Sequence, residues 1–307
     1  MHTAYLTHQD CLKYDLGDIH PESATRIHAI NDQLIASGVL DYLAYCDAPF
    51  ATQEQLARVH SEEYIEWIFS QSPSSGVIHL DCDTIMTPFS LNAALRAAGA
   101  VIKGIDLVMA GKVQNAFCNI RPPGHHASRD KASGFCIFNN VAVGAAHLLE
   151  QYGLSRVAIL DFDVHHGDGT EAIFANESRV MFCSSFRHPF YPYLGAETKS
   201  SNIINVPLKA GTSGKEFRHA VSEHWFPALE KFRPEFILVS AGFDAHWEDD
   251  MGGLALHESD YRWITEHIKK LANEFSSDRI VSTLEGGYAL HALGRSVLAH
   301  IKVLAEM

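Results

Sequence analysis

The sequence predicts an α/β protein: a single-domain, doubly wound, mainly parallel sheet flanked by helices. Three observations carry this. Short apolar strand patterns alternate with helical patterns along all 307 residues, with no linker, internal repeat or low-complexity tract between them. The strand at 236–240 reads Phe-Ile-Leu-Val-Ser, apolar without alternation, as a strand covered on both faces requires. Four stretches rich in His, Asp, Glu, Gly and Pro each follow a strand pattern directly, at the C-terminal strand edge where such sheets hold their ligands. One domain is therefore expected over residues 1–307.

The elements follow in chain order. Tyr5-Leu6 belongs to a first short strand. Pro21-Glu22-Ser23 opens a helix to about Gly38, with Ile27, Ile30, Leu34 and Ile35 at helical spacing. A short helix spans Ser61 to Ser70. Leu91 to Ala110 is a small-residue helix suited to close packing on the sheet, and Gly111 caps it. Ala116 to Ile120 is a buried strand. Asn139 to Tyr152 is a helix ended by Gly153. Val157 to Leu160 and Val180 to Cys183 are strands. A helix at Gly214 to Phe232 precedes the Phe236 to Ser240 strand. The Ser259 to Phe275 helix, the Ile280 to Leu284 strand and a helix from His291 to the end complete the pattern.

Composition narrows the function classes. No run of about 18 apolar residues exists, so no membrane span is expected. The first residues carry no basic segment followed by an apolar one, so no signal peptide is expected. Six cysteines (11, 46, 82, 118, 136 and 183) lie scattered without a CxxC pair, which suits reduced thiols and a cytoplasmic setting. A net charge of −13 disfavours nucleic acid as a direct partner and suits a cationic substrate, although acidity also serves solubility. Homo-oligomerisation stays open, because apolar helix faces in such a fold usually pack on the sheet.

The chemistry centres on the string after Leu160: Asp161-Phe162-Asp163-Val164-His165-His166-Gly167-Asp168-Gly169. Strand alternation sends Asp161, Asp163 and His165 to one side. Unpaired buried carboxylates are costly, and a divalent metal explains them. Asp and His without Cys suit zinc with an open coordination position, and manganese or iron would accept the same atoms. After the 236–240 strand comes Ser240-Ala241-Gly242-Phe243-Asp244-Ala245-His246, where Asp244 is the natural third ligand and His246 its competitor. Asp249 and Asp250 are expected to be solvated. After Ile120 comes Arg121-Pro122-Pro123-Gly124-His125-His126, a rigid turn that presents two histidines suited to acid–base work. Asp161 and Asp168 are candidate partners that would orient their rings. After Leu284 comes Glu285-Gly286-Gly287-Tyr288, where the glycines allow close backbone approach and the tyrosine could donate to a developing oxyanion.

These strings, with Gly134-Phe135-Cys136-Ile137-Phe138-Asn139-Asn140, occur in the order and rough spacing of the histone deacetylase family, and the resemblance covers nearly the whole chain. RPPGHH and LEGGY look like its class II and bacterial branch, which includes histone deacetylase-like amidohydrolases and acetylpolyamine amidohydrolases on the arginase/deacetylase fold. The resemblance implies one zinc ion held by Asp163, His165 and Asp244. It implies His125 and His126 as tandem catalytic histidines paired with Asp161 and Asp168, with His126 as general base toward water, and Tyr288 as the donor that polarises the acetyl carbonyl. Gly134 and Phe135 would line a substrate tunnel, with Tyr191 or Phe190 on the opposite wall. Gly286 and Asp83 would also touch the substrate. Structural potassium is implied at Asp161, Ser184 and Ser185, with Asp163 and His165, and a second, weaker potassium site at Phe174, Glu177 and Val180.

The activity implied is removal of acetyl groups from acetyl-lysine side chains or acetylated polyamines. Rim acids would favour a polycation: Asp81 and Asp83, and Glu248, Asp249 and Asp250. Met251 stands near the place where polyamine-selective relatives carry a gatekeeping glutamate, and this departure counts against polyamines. Two rival readings are a binuclear manganese ureohydrolase of the same fold and a catalytically silent binding homologue. The first would need further bridging carboxylates, typically a DxD where this chain has Phe-Asp-Ala-His. The second is at odds with a complete set of candidate residues.

Overall fold

The computed structural model describes residues 3–17 and 20–307. Among the described residues ten strands follow in order: β1 Thr3–Thr7, β2 Ala44–Asp47, β3 Ile78–His79, β4 Ile85–Met86, β5 Asn115–Cys118, β6 Val157–Asp161, β7 Val180–Arg187, β8 Ile203–Leu208, β9 Phe236–Ala241 and β10 Ile280–Leu284. Eight of them form one sheet in the order β2-β1-β5-β10-β9-β6-β7-β8, and β3 pairs with β4 in a separate antiparallel ribbon. All pairings in the large sheet are parallel.

The winding explains why the chemistry converges. The chain crosses from β5, third in the sheet, to β6, sixth. It runs outward to β8 and returns through β9 and β10 to close beside β5. The four strands that precede the reactive loops (β5, β10, β9 and β6) are therefore adjacent, and their loops leave one edge together.

Side-chain alternation builds two cores. Ile159, Leu238 and Val281 face a layer with the helices Ser90–Met109 and Asn140–Gln151. Ala158, Leu160, Ile237 and Val239 face the helices Thr25–Ala36, Gly214–Phe232, Glu258–Phe275 and Leu290–Leu304. Small residues let the first layer sit close: a Cβ on Gly144 would come within 2.5 Å of Val101.

The differences from expectation lie at edges and ends. Edge strand β2 alternates between half-buried and exposed, and edge strand β8 carries Pro207, so neither gives a continuous apolar run. The first long helix starts at Thr25 rather than Pro21, because Glu22 is drawn into a buried ion pair with Arg121, Nε to Oε1 2.5 Å.

One buried histidine away from the site sets a pH test. His300 contacts Ser282 Oγ at 2.9 Å and Thr265 Oγ1 at 2.7 Å, and burial pushes its pKa down to about 3. The unfolded chain therefore binds more protons at this residue at mildly acid pH, and its contribution to stability falls as pH drops below its unfolded value. Replacing His300 with Gln should shift relative stability in the variant's favour by about 1.4 kcal/mol per pH unit between roughly pH 6 and 4. Urea unfolding of both proteins across that range measures it, and a pH-independent difference would refute it.

Candidate active site

Asp163 and His165 lie just past the end of β6, and Asp244 lies past β9, its neighbour. One ligand atom from each of the three lies within 4.8 Å of the others. His165 Nδ1 is 3.0 Å from Asp163 Oδ1 and 3.3 Å from Asp244 Oδ2. Backbone amides fix the carboxylates. Gly286 N donates to Asp163 Oδ2 at 2.8 Å, His165 N to Asp163 Oδ1 at 2.8 Å, and Val164 N to Asp244 Oδ1 at 2.9 Å. Asp244 Oδ2 is buried and makes no well-aligned hydrogen bond, the His165 ring 3.3 Å away being off-axis. Burial, then the neighbouring Asp163, pushes the Asp244 pKa up to about 7. Burial opposes the His165 imidazolium, yet the two carboxylates hold its pKa up to about 10. A buried carboxylate oxygen without a well-aligned donor, beside a second carboxylate and an imidazole, fits a divalent cation. His246, the competing candidate, stands away from this cluster, with Nε2 3.6 Å from Glu258 Oε1.

The tandem histidines lie beside it, with ring centres 4.0 Å apart. His125 Nδ1 is 2.9 Å from Asp161 Oδ2, and His126 Nδ1 is 2.7 Å from Asp168 Oδ1. A carboxylate only accepts, so each Nδ1 carries the proton. The two environments then diverge. Burial disfavours a charge on His125, but Asp161, Asp163 and Glu285 raise its pKa well above the usual histidine value. Burial, and then the charge on His125, push His126 down to about 4 despite Asp168. His126 is thus neutral, with a free lone pair at Nε2, beside a cationic His125.

Above them opens a cavity of about 260 Å³, lined among others by His125, His126, His165, Gly286 and Tyr288. Its walls carry Gly134 and Phe135 together with both Phe190 and Tyr191. Phe190 stacks on His165 at 5.3 Å, and Tyr191 meets His126 edge-on at 5.1 Å with its hydroxyl 2.8 Å from Ser133 Oγ. Phe135 adopts a left-handed backbone, φ 67°, uncommon for a residue with a side chain. Asp83 and Thr84 hold it there: Gly134 N donates to Asp83 Oδ1 at 3.0 Å and Phe135 N to Thr84 Oγ1 at 3.1 Å. Asp83 lines the rim, but it also serves as the anchor of this turn. Tyr288 packs edge-on to Phe135 at 6.2 Å, and burial keeps its phenol protonated far above neutrality.

Three supporting groups had no distinct signal in the sequence. Glu285 is buried and accepts from Gly124 N at 2.7 Å and His125 N at 3.2 Å, so it holds the histidine turn. Arg26 donates to Gly287 O at 2.6 Å and Glu285 O at 2.5 Å, with its guanidinium 5.0 Å from the Tyr288 ring centre. Asp249, expected to be solvated, is 4% exposed and accepts from Tyr288 N at 2.7 Å and Ala289 N at 3.0 Å. Each pairs with residues distant in sequence, so no local pattern announces it. Asp250 and Met251 do line the rim.

The potassium expectations divide. Ser184 lies in register with Asp161, its Oγ is 3.0 Å from His166 Nδ1, and Ser185 Oγ is buried without a partner. The Ser184 hydroxyl expected to face the ion thus already has a partner, and strand alternation turns Ser185 Oγ to the opposite face of β7. At Phe174, Glu177 and Val180 the carbonyls instead meet the Asn202 side chain.

A fully parallel α/β sheet with acids, paired histidines and a tyrosine gathered at its switch edge defines a hydrolase-type site. Residues 20–304 match the family described as Histone deacetylase domain, and the chain belongs to that family. It is 35% identical over 315 residues to a probable deacetylase of Archaeoglobus fulgidus, covering 100% of this chain and 86% of that protein. It is 36% identical over 277 residues to a histone deacetylase-like amidohydrolase of Pseudomonas aeruginosa, covering 88% and 73%. The crystal structure of the HDA15 HD domain superposes with a TM-score of 0.93 at 32% identity, covering 99% of this chain and 88% of that one. No helix among the described residues is long and apolar enough to cross a membrane.

Proposed function

We propose that this chain is a zinc-dependent amidohydrolase. It removes the acetyl group from the end of a long, thin aminoalkyl chain, as on acetyl-lysine or an acetylated polyamine, and releases acetate and the free amine. The observation that carries this reading is the Asp163–His165–Asp244 cluster, with no well-aligned donor on Asp244 Oδ2, beside a cavity that His125, His126 and Tyr288 also line.

Asp163, His165 and Asp244 would hold the zinc, which when bound supplies a Lewis acid for the amide carbonyl and for water. His126, neutral and oriented by Asp168, takes the proton of the attacking water. The proton it gains is then available to the departing nitrogen. His125, held cationic by Asp161, offsets negative charge that develops nearby. The Tyr288 hydroxyl donates to the oxyanion. The aromatic walls at Phe135, Phe190 and Tyr191 suit an extended alkyl chain and exclude water around it. Potassium at the Asp161, Ser184 and Ser185 locus would stiffen the loop that carries Asp163 and His165.

The same geometry speaks against a binuclear ureohydrolase. His125 and Asp161 are committed to each other at 2.9 Å, so neither is free to hold a second ion beside the Asp163–His165–Asp244 cluster.

Metal analysis combined with acetate release from acetylputrescine, acetylspermidine and an acetyl-lysine peptide tests the proposal. The expected result is one zinc per chain and acetate from at least one substrate, abolished by chelation and restored by zinc. Zinc-loaded protein inert on all three would sink it. Two tightly bound ions per chain would revive the ureohydrolase reading, and a peptide preferred by orders of magnitude would remove polyamines.

A further inference from the structure

The carbonyl oxygens of Phe174, Glu177 and Val180 converge on a nitrogen that belongs to the protein. Asn202 Nδ2 lies 2.9 Å from Phe174 O, 3.3 Å from Glu177 O and 3.1 Å from Val180 O. Asn202 is 8% exposed and sits just before β8. Its Oδ1 accepts from Ser200 Oγ at 2.6 Å, and its own carbonyl accepts from Phe182 N at 2.8 Å. The chemistry fixes the orientation of the amide. Flipped, it would set Oδ1 against three oxygens that can only accept.

Phe174 O and Glu177 O each already accept a backbone N–H of the turn, from Glu177 and Val180 at 3.0 Å, and the lone pairs that remain on the three carbonyls suit a cation or a further donor at the spot they share. Carbonyl rings of this kind are how proteins strip a monovalent cation of its water. Here an amide nitrogen supplies two hydrogens at normal N–H···O separations. An ion in contact with all three oxygens would have to occupy the position of that nitrogen. We propose that the Asn202 amide replaces the second monovalent cation in this chain. The 174–180 turn is thereby closed onto β8 by a covalently attached donor and is independent of dissolved potassium. This inference rests on the carbonyl cradle alone and holds whatever the substrate.

Thallium(I), an anomalous scatterer that substitutes for potassium, tests it in crystals of the full chain. The expected result is no thallium peak between the three carbonyls of the wild type and a peak there in Asn202→Ala. A wild-type peak, with the Asn202 side chain turned away, would overturn the proposal, and that measurement stands even if the variant does not fold. In solution, melting is compared in potassium chloride and in tetramethylammonium chloride at equal ionic strength. Asn202→Ala should gain at least about 2 °C more from potassium than the wild type does. Equal gains in both proteins would also overturn it.

Discussion

Replacing Gly286 with Ala is expected to strip the site of its metal and cut turnover by at least ~10²-fold, in a protein that still folds. The reason is local. A Cβ at this position would lie 2.0 Å from Asp244 Oδ2 and 2.6 Å from Asp163 Oδ2, far inside contact distance of two proposed ligand oxygens. Neither carboxylate has room to yield. Asp163 is held by Gly286 N and His165 N, and Asp244 by Val164 N. The methyl group must therefore push the two carboxylates apart or drive the Glu285–Tyr288 turn away, and both outcomes spoil the ligand set. Gly242 sets a parallel constraint, since a Cβ there would meet Asp163 Oδ2 at 2.0 Å. Metal content and acetate release are measured side by side in the variant and the wild type. Full metal loading with wild-type turnover would remove Asp163 and Asp244 from the metal shell.

This close approach shows what a sequence can and cannot disclose. Two glycines after a strand suggested close backbone approach of a ligand, whereas Gly286 meets the carboxylates of Asp163 and Asp244 and Gly287 meets Leu293 and Phe243. Strand alternation followed by histidine and acid was legible because it is local: β6 ends in Asp161, and the next residues carry the loop chemistry. The adjacency of β5, β10, β9 and β6 was not legible from spacing, yet it is what brings four separate loops to one point. Polar partners formed across the fold were the least visible. Glu285 reads as part of a turn motif until its hydrogen bonds to Gly124 and His125 are seen, 161 and 160 residues away. Asp249 reads as one acid in a solvated run until Tyr288 N and Ala289 N are found on it. Asn202 reads as an ordinary polar residue before a strand, although its side chain meets three convergent carbonyls. Short edge strands fail for a related reason, since half-exposed residues do not need the apolar run that marks a central strand.

Tyr288→Phe should lower turnover by about 10²-fold or more and leave metal content and stability near those of the wild type. Tyr288 is positioned through its backbone, with its N–H on Asp249 and its ring between Phe135 and the Arg26 guanidinium. Those contacts survive in phenylalanine, so the substitution removes one donor from the cavity and little else. Burial holds the phenol protonated well above neutral pH, so the group lost is an O–H donor rather than an anion. A donor aimed at charge that forms only during the reaction affects kcat more than substrate binding. The expected signature is therefore a large fall in kcat with KM changed far less. A variant that keeps kcat and loses only affinity would make Tyr288 a wall of the cavity, leaving the metal site to stabilise the oxyanion alone.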